Sequence, residues 1–173
     1  MTPEFSRPER IDAISERERV VEVSAKPEER AALAKRFDLL AVDRLDAWFA
    51  IRREAAGIVA RGRVEADVVQ ACSVTGEPVR ATVDEAAELL FVREQAHAPD
   101  ELELSTEALD TITYQGGSVD LGEAAAETMA LALDPFPRSP NAEDALRQAG
   151  VLTEEEARPM GKLAGLRDKL EGR

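Results

Sequence analysis

The residues that could carry out chemistry are few, and the cysteine and the histidine come first. The chain contains one cysteine, Cys72, and one histidine, His97. A cysteine nucleophile needs a base or a positive charge nearby, because the thiolate is the reactive form. His97 lies in a separate acidic stretch, and no basic residue follows Cys72 before Arg80. We therefore predict that Cys72 is structural and that the protein is not an enzyme.

Metal and phosphate sites are equally poorly supported. One cysteine and one histidine cannot complete a tetrahedral zinc site. The acidic run 154–156 lacks the ligand spacing of a calcium-binding loop. Gly116 and Gly117 stand alone, because the chain contains neither a GxxxxGK nor a GxGxxG motif. We expect no metal, no cofactor and no small-molecule substrate.

The charge of the chain limits its partners. Its 173 residues include 35 acidic and 22 basic side chains, which give a formal net charge of −13. Nucleic acids would be repelled at long range, whereas a basic protein would be attracted. From charge alone, solubility is the simpler explanation. The single cysteine, the lack of a long apolar run and an N-terminus unlike a signal peptide predict a cytoplasmic protein that contacts no membrane.

Alternation of apolar and polar residues predicts three long consecutive strands. Leu45, Phe49 and Ile51 would share one face of the first strand, and apolar residues alternate from Ile58 to Val68 in the second. The third strand runs back over 78–92. We expect an α+β fold in which this meander forms an antiparallel twisted sheet or a partly closed β-barrel, with a few packed helices.

The alternation of the second strand continues to Cys72, which places its side chain on the inner face. The following Thr75, Gly76, Glu77 and Pro78 have the composition of a tight turn. These residues therefore predict the hairpin between the second and third strands.

Two helices are predicted to pack on the sheet. The first begins at Pro27. The second begins after Asp120, which would cap it together with Glu123 three residues on, and it stops before Pro135. Leucines at helical spacing near the C-terminus predict a helical tail that docks either on a partner or on its own domain.

The chain is expected to form one α+β domain over 1–150, followed by the helical tail over 151–173. The acidic, weakly patterned stretch 93–108 inside the domain is predicted to be a mobile loop.

Four segments, in this order, make the sequence resemble the bacterial YceD family, whose members are described as large-subunit ribosomal RNA accumulation proteins. They are FSRPERI, QACSVTGEPV, SVDLGEAAAETMALALDPFPRSPNA and RPMGKLAGLRDKL. The third is the most specific. The resemblance covers most of the chain and implies a non-enzymatic role in ribosome assembly, through binding of a basic ribosomal protein or a precursor of the large subunit.

The sequence departs from the family at the cysteines. Many members have Cys-x-x-Cys where this chain has Cys72 and Thr75, and some have further cysteines where 136–144 has none. The zinc site proposed for those members is therefore in doubt here. Cys72, Gly76 and Pro78 remain as structural markers of the family.

Arg138 is the foremost candidate for contact with a partner, because the sequence gives it no local structural role. Thr75 and Glu77 come next, since they lie in a turn that is predicted to be exposed. The family block adds three acidic candidates, although a capping box alone would explain the first two: Asp120, Glu123 and Glu127.

Direct binding of ribosomal RNA is the alternative function. Four arginines lie on adjacent predicted strands and could form a basic stripe: Arg52, Arg53, Arg61 and Arg63. Cross-strand pairing of these arginines with Glu54, Glu65 and Asp67 is the simpler expectation.

Overall fold

The computed structural model describes residues 3–94 and 109–151. In these ranges the chain forms seven strands, three α-helices and one 3-10 turn, Ile11–Ala13. The strands are β1 (Pro8–Arg10), β2 (Arg19–Ser24), β3 (Ala41–Glu54), β4 (Gly57–Ala71), β5 (Pro78–Arg93), β6 (Asp110–Tyr114) and β7 (Ser118–Asp120). The helices are α1 (Pro27–Arg36), α2 (Leu121–Ala132) and α3 (Ala142–Gln148).

A five-stranded sheet in the order β2-β3-β4-β5-β6 forms the centre of the fold. The strands β2 to β5 are antiparallel, so the predicted meander of three long strands is confirmed. The strands β1 and β7 form a separate two-stranded antiparallel sheet.

The predicted alternation also places the side chains correctly. Leu45, Phe49 and Ile51 of β3 are buried on the inner face, whereas Trp48 is 44% exposed on the outer face. Helix α1 packs against β3, and α2 packs across β3, β4 and β5. The core therefore lies between the sheet and these helices, and its largest members include Phe5, Leu33 and Met129.

Of the two forms expected for the meander, the antiparallel sheet is present and the partly closed barrel is wrong. The sheet is open, with β2 and β6 at its edges, and β6 is parallel to β5. Closure is not needed to bury the inner face, because the two helices cover it. A parallel neighbour requires a crossover of about a dozen residues or more, and residues 95–108 provide that length.

Both predicted helices are present, and their ends follow local chemistry. Pro27 opens α1, whose first turn carries Glu28 and Glu29 near the positive end of the helix dipole. Helix α2 ends before Pro135, where a helical backbone hydrogen bond would be lost. Sequence analysis did not predict α3.

Two predictions lie largely outside the described residues. Of the stretch 93–108, only Arg93, the last residue of β5, and Glu94 are described. Of the predicted helical tail, only Val151 is described.

Candidate partner-binding site

The hairpin between β4 and β5 forms a tight corner, as the sequence predicts. Cys72 follows β4 directly, and its carbonyl accepts a hydrogen bond from the Gly76 N–H at 2.9 Å. Gly76 has a φ angle of 73°, a left-handed backbone conformation that residues with a Cβ atom rarely adopt. Pro78 then begins β5. The turn residues therefore direct the chain from one long strand into the next.

The Cys72 side chain points inward and is surrounded by backbone donors. It is only 3% exposed, which confirms the predicted inner position. Its Sγ accepts N–H groups from Val74 and Thr75, each at 3.4 Å. A third N–H comes from Ser139, distant in sequence, at 3.2 Å. The sulfur thus joins the hairpin to the segment that follows α2.

These contacts change the acidity of the thiol. Burial raises the pKa of Cys72, but hydrogen bonds from Thr75 and Ser139 outweigh that effect and lower the pKa from 9.0 to about 6. Hydrogen bonds to the thiolate favour the charged form. Because the sulfur is buried within its own chain, the lower pKa reflects hydrogen bonds that stabilise the corner. His97 lies outside the described residues.

Side chains extend the link between the two segments. The Thr75 and Ser139 hydroxyls are hydrogen-bonded at 3.2 Å, and Thr75 Oγ1 also donates to Glu77 Oε2 at 3.2 Å. The Asn141 amide donates to both Glu77 carboxylate oxygens at 3.2 and 3.3 Å. Hydrogen bonds from Ser139, Asn141 and Thr75 lower the pKa of Glu77. Thr75 and Glu77 are therefore half-buried, not fully exposed as predicted.

The donor atoms of this corner do not fit a zinc ion. A structural zinc site needs four thiolate, imidazole or carboxylate ligands. Here one sulfur accompanies two hydroxyl groups, Thr75 and Ser139, that bond to each other. Over residues 3–94 and 109–151, no group of three histidine, cysteine or acidic residues is arranged to hold a metal ion. In this chain the corner is held by hydrogen bonds among Cys72, Thr75 and Ser139.

The segment after α2 is attached to the corner and displays two side chains. The Asp134 carbonyl accepts from the Gln70 side chain at 2.9 Å. The Pro137 carbonyl accepts from the Ser73 N–H at 2.8 Å and from the Ser73 hydroxyl at 3.1 Å. Pro137 and Ser139 are buried, whereas the alternate residues Phe136 and Arg138 are exposed. Arg138, the leading candidate from sequence, therefore lies on an accessible surface.

Asp120 makes internal contacts. Its Oδ1 accepts the N–H groups of Gly122 at 3.0 Å and Glu123 at 3.1 Å, which caps α2 as predicted. The same oxygen accepts the Arg7 N–H at 2.7 Å, and Oδ2 accepts the Ser6 hydroxyl. Asp120 therefore fixes the N-terminal segment to the helix as well as capping it.

Glu123 and Glu127 differ in their surroundings. Glu123 pairs with Arg36 at 2.6 Å instead of completing the predicted capping box. Glu127 is exposed on the next turn of α2. Partial burial and the neighbouring Glu123 raise the pKa of Glu127, although Arg36 opposes them. Glu127 therefore remains the more accessible of the two candidates.

The four arginines of the predicted basic stripe do not act together. Arg52 pairs at 2.6 Å with Glu54, which lies two residues along the same strand and not across the sheet as expected. Arg63 pairs with Asp84, while Arg53 donates to backbone carbonyls of the N-terminal segment. Arg61 also has a partner. Glu65 and Asp67, which were expected as partners, pair instead with Arg44, at 2.9 Å each.

Sequence reasoning missed the residues that come to the corner from the other segment. Ser139 and Asn141 lie in a proline-rich stretch that has no helical or strand periodicity. They reach the hairpin only because α2 carries the chain back across the sheet. Their spacing around Pro140 gives no local indication of this contact.

The sequence of the chain matches the model of one known protein family. The family model of the large ribosomal RNA subunit accumulation protein YceD matches residues 60–168. The chain belongs to the YceD family. The match includes the Cys72 corner, α2 and the segment that displays Phe136 and Arg138. Searches of curated proteins and of solved structures gave no match.

Family membership supports a role connected with large-subunit ribosomal RNA, as its name states. None of the helices in the described ranges is long and apolar enough to cross a membrane.

Proposed function

We propose that this YceD-family protein is a non-enzymatic cytoplasmic factor that supports accumulation of large-subunit ribosomal RNA. It would do so by binding a basic ribosomal protein or an assembly intermediate that contains one. The observation that carries the proposal is the family match over residues 60–168. The burial of Cys72 and the acidic net charge of the chain add support.

The chemistry of the corner supports a binding role. Cys72 is the best nucleophile that the sequence offers, yet its sulfur is buried and accepts three backbone N–H groups. A nucleophilic cysteine would need an accessible sulfur and a general base. The hydroxyls of Thr75 and Ser139 are likewise used in holding two segments together.

The charge of the chain supports a basic partner. At a net charge of −13, the protein attracts cationic surfaces over distances of about one Debye length, roughly 8 Å at physiological salt. Electrostatic complementarity of this kind speeds association and excludes wrong partners. A factor with this charge could hold a basic ribosomal protein until that protein meets its RNA.

Direct RNA binding is less well supported. Arg52 and Arg63 pair with carboxylates on their own sheet, and a phosphate would have to displace those partners. A groove of about 460 Å³ on the outer face contains Arg44 and Arg63, but Glu22, Asp46 and Glu65 also line it. Gel-shift assays with ribosomal RNA fragments across a salt series should show no salt-dependent binding in the micromolar range; such binding would favour the RNA alternative.

The proposed partner class can be tested with a defined mixture. Proteins extracted by salt from purified large ribosomal subunits of the same organism would be passed over the immobilised full-length protein at physiological salt. We expect one or a few basic ribosomal proteins to be retained and identified by mass spectrometry. The proposal would be contradicted if the immobilised protein retained no large-subunit protein, either from the extracted mixture or from precursors of the large subunit.

A further inference from the structure

Two large apolar side chains near the end of α2 are unusually exposed. Leu131 lies in the last turn of the helix and is 85% exposed. Phe136, four residues beyond the helix, is 71% exposed. They are the two most exposed of the large apolar side chains in the described ranges. Where such side chains form a contiguous patch, the patch often marks a contact with a partner.

Phe136 belongs to a segment that the fold holds in place. The Gln70 side chain anchors Asp134, and Asp134 Oδ1 in turn accepts the Phe136 N–H at 2.8 Å. Ser73 anchors Pro137 through two hydrogen bonds. Phe136 is thus presented between two fixed points. A segment whose backbone is already held in place loses less conformational entropy on binding than a free loop.

Arg138 is presented in the same way. It lies between Pro137 and Ser139, both buried and both bonded to the Cys72 hairpin. Within the described part of the chain, its guanidinium makes no hydrogen bond or ion pair. Arg36, Arg44 and Arg63, in contrast, each contact a carboxylate. Arg138 is therefore available to an external acceptor.

We propose that Leu131, Phe136 and Arg138 form the anchor by which this protein holds its basic protein partner. This inference rests on the proposed function and specifies the surface that performs it. Aromatic and arginine side chains are the residue types enriched at the energetic centres of protein interfaces. The hydrogen bonds of the Cys72 corner give the anchor its rigidity.

The chemistry of the anchor describes the partner's complementary surface. Phe136 and Leu131 require an apolar pocket, and Arg138 requires a carboxylate at the rim of that pocket. Three exposed acidic side chains lie close to the anchor in sequence: Glu127, Asp134 and Glu143. They favour lysine and arginine on the rest of the partner's surface and repel RNA phosphates. The occupant is therefore a basic protein with one apolar pocket.

Substitutions at the anchor provide the test. The full-length wild-type protein and the variants Phe136→Ala and Arg138→Glu would be titrated with the ribosomal protein identified from the large-subunit extract. We expect the Kd to rise at least about tenfold for each variant, the effect of an interface hot spot. Arg138→Lys keeps the charge and should recover part of the loss.

Matched controls separate the anchor from general effects. Val20→Ala removes an apolar side chain that is 62% exposed on another element, β2, and should leave the Kd unchanged. Arg17→Glu makes the same charge change at another exposed arginine without an ion pair in the described residues. Its effect on the Kd should be much smaller than that of Arg138→Glu.

The outcomes distinguish this inference from the proposed function. If wild type binds and Phe136→Ala and Arg138→Glu bind equally well, the anchor is wrong while the proposed function stands. If wild type binds no large-subunit protein, the proposed function fails and the anchor with it. Thermal unfolding provides a second readout. A Tm unchanged by Phe136→Ala supports an external occupant, whereas a Tm several degrees lower would mean that the chain covers Phe136 itself and would overturn the inference.

Discussion

Single residues at the Cys72 corner carry the connection between the sheet and the segment after α2. Cys72 Sγ accepts hydrogen bonds from the Thr75 N–H in the hairpin and from the Ser139 N–H in the segment after α2. The Thr75 and Ser139 hydroxyls are hydrogen-bonded to each other beside it. Each of these groups is small and polar, and each has a partner within its own chain. The corner therefore holds the segment that displays Phe136 and Arg138 in position.

The lowered pKa of Cys72 makes stability depend on pH. Hydrogen bonds to the sulfur outweigh burial and bring the pKa from 9.0 to about 6 in the folded protein. Between those values the unfolded chain binds a proton that the folded protein does not, so stability rises with pH. The contribution is complete above about pH 9 and is lost as the pH falls through about 6.

The measurement is the Tm of wild type and of Cys72→Ala at intervals between pH 6 and pH 9. We expect the difference in Tm to grow in favour of wild type as the pH rises. A difference that stays constant over this range would show that the folded protein keeps a neutral thiol.

Asp120 should be important for stability, although the sequence also allowed it a role in binding. Asp120→Ala removes the cap of α2 and the bond to the Arg7 N–H. We expect the free energy of unfolding to fall by about 2 kcal/mol, the upper range for loss of a helix cap. Urea denaturation would measure it, with Asp110→Ala as the control at an exposed carboxylate. Equal stability of the two variants would contradict the role of Asp120 in joining α2 to the N-terminal segment.

At the scale of elements, the strands were predictable because alternation is a local property. The side chains of β3 and β4 alternate between core and solvent over more than ten residues, and this pattern fixed both the strands and their inner face. The same pattern put Cys72 inside. The turn was readable from Gly76 and Pro78, since each restricts the backbone in a known way.

Other elements were not predictable, for physical reasons. The sequence of β6 does not indicate whether the strand lies parallel or antiparallel to β5, because strand direction depends on long-range pairing and not on the local pattern. Local alternation shows that one face of the sheet is buried, but not whether packed helices or closure of the sheet buries it, so both an open sheet and a partly closed barrel were expected. The contact of Ser139 with Cys72 is long-range, and local patterns carry no information on it.

The corner is an element held by hydrogen bonds, and that has a measurable consequence. A chelator should leave the Tm unchanged, because Thr75 and Ser139 supply hydroxyl groups where a zinc site would need ligands. A matched measurement with Ser139→Ala should show a lower Tm, because the Thr75 hydroxyl loses this partner. A clear fall in Tm on addition of chelator alone would contradict this description of the corner.

The molecule combines an acidic net charge with an exposed Phe136 and Arg138 in the segment after α2. The net charge of −13 and the paired arginines of the sheet both oppose binding to a polyanion. The family match connects the molecule to large-subunit ribosomal RNA. The basic protein partner proposed above would reconcile these properties, since it could bind the acidic factor first and its RNA later.

The most direct measurement of this role is the ratio of large-subunit to small-subunit ribosomal RNA in growing cells. It would be compared between the parent strain, a strain without this protein, and the deletion strain supplied with wild type or with Cys72→Ser. We predict that the ratio falls in the deletion strain and that both supplied forms restore it. An unchanged ratio in the deletion strain would contradict a role in the accumulation of large-subunit RNA.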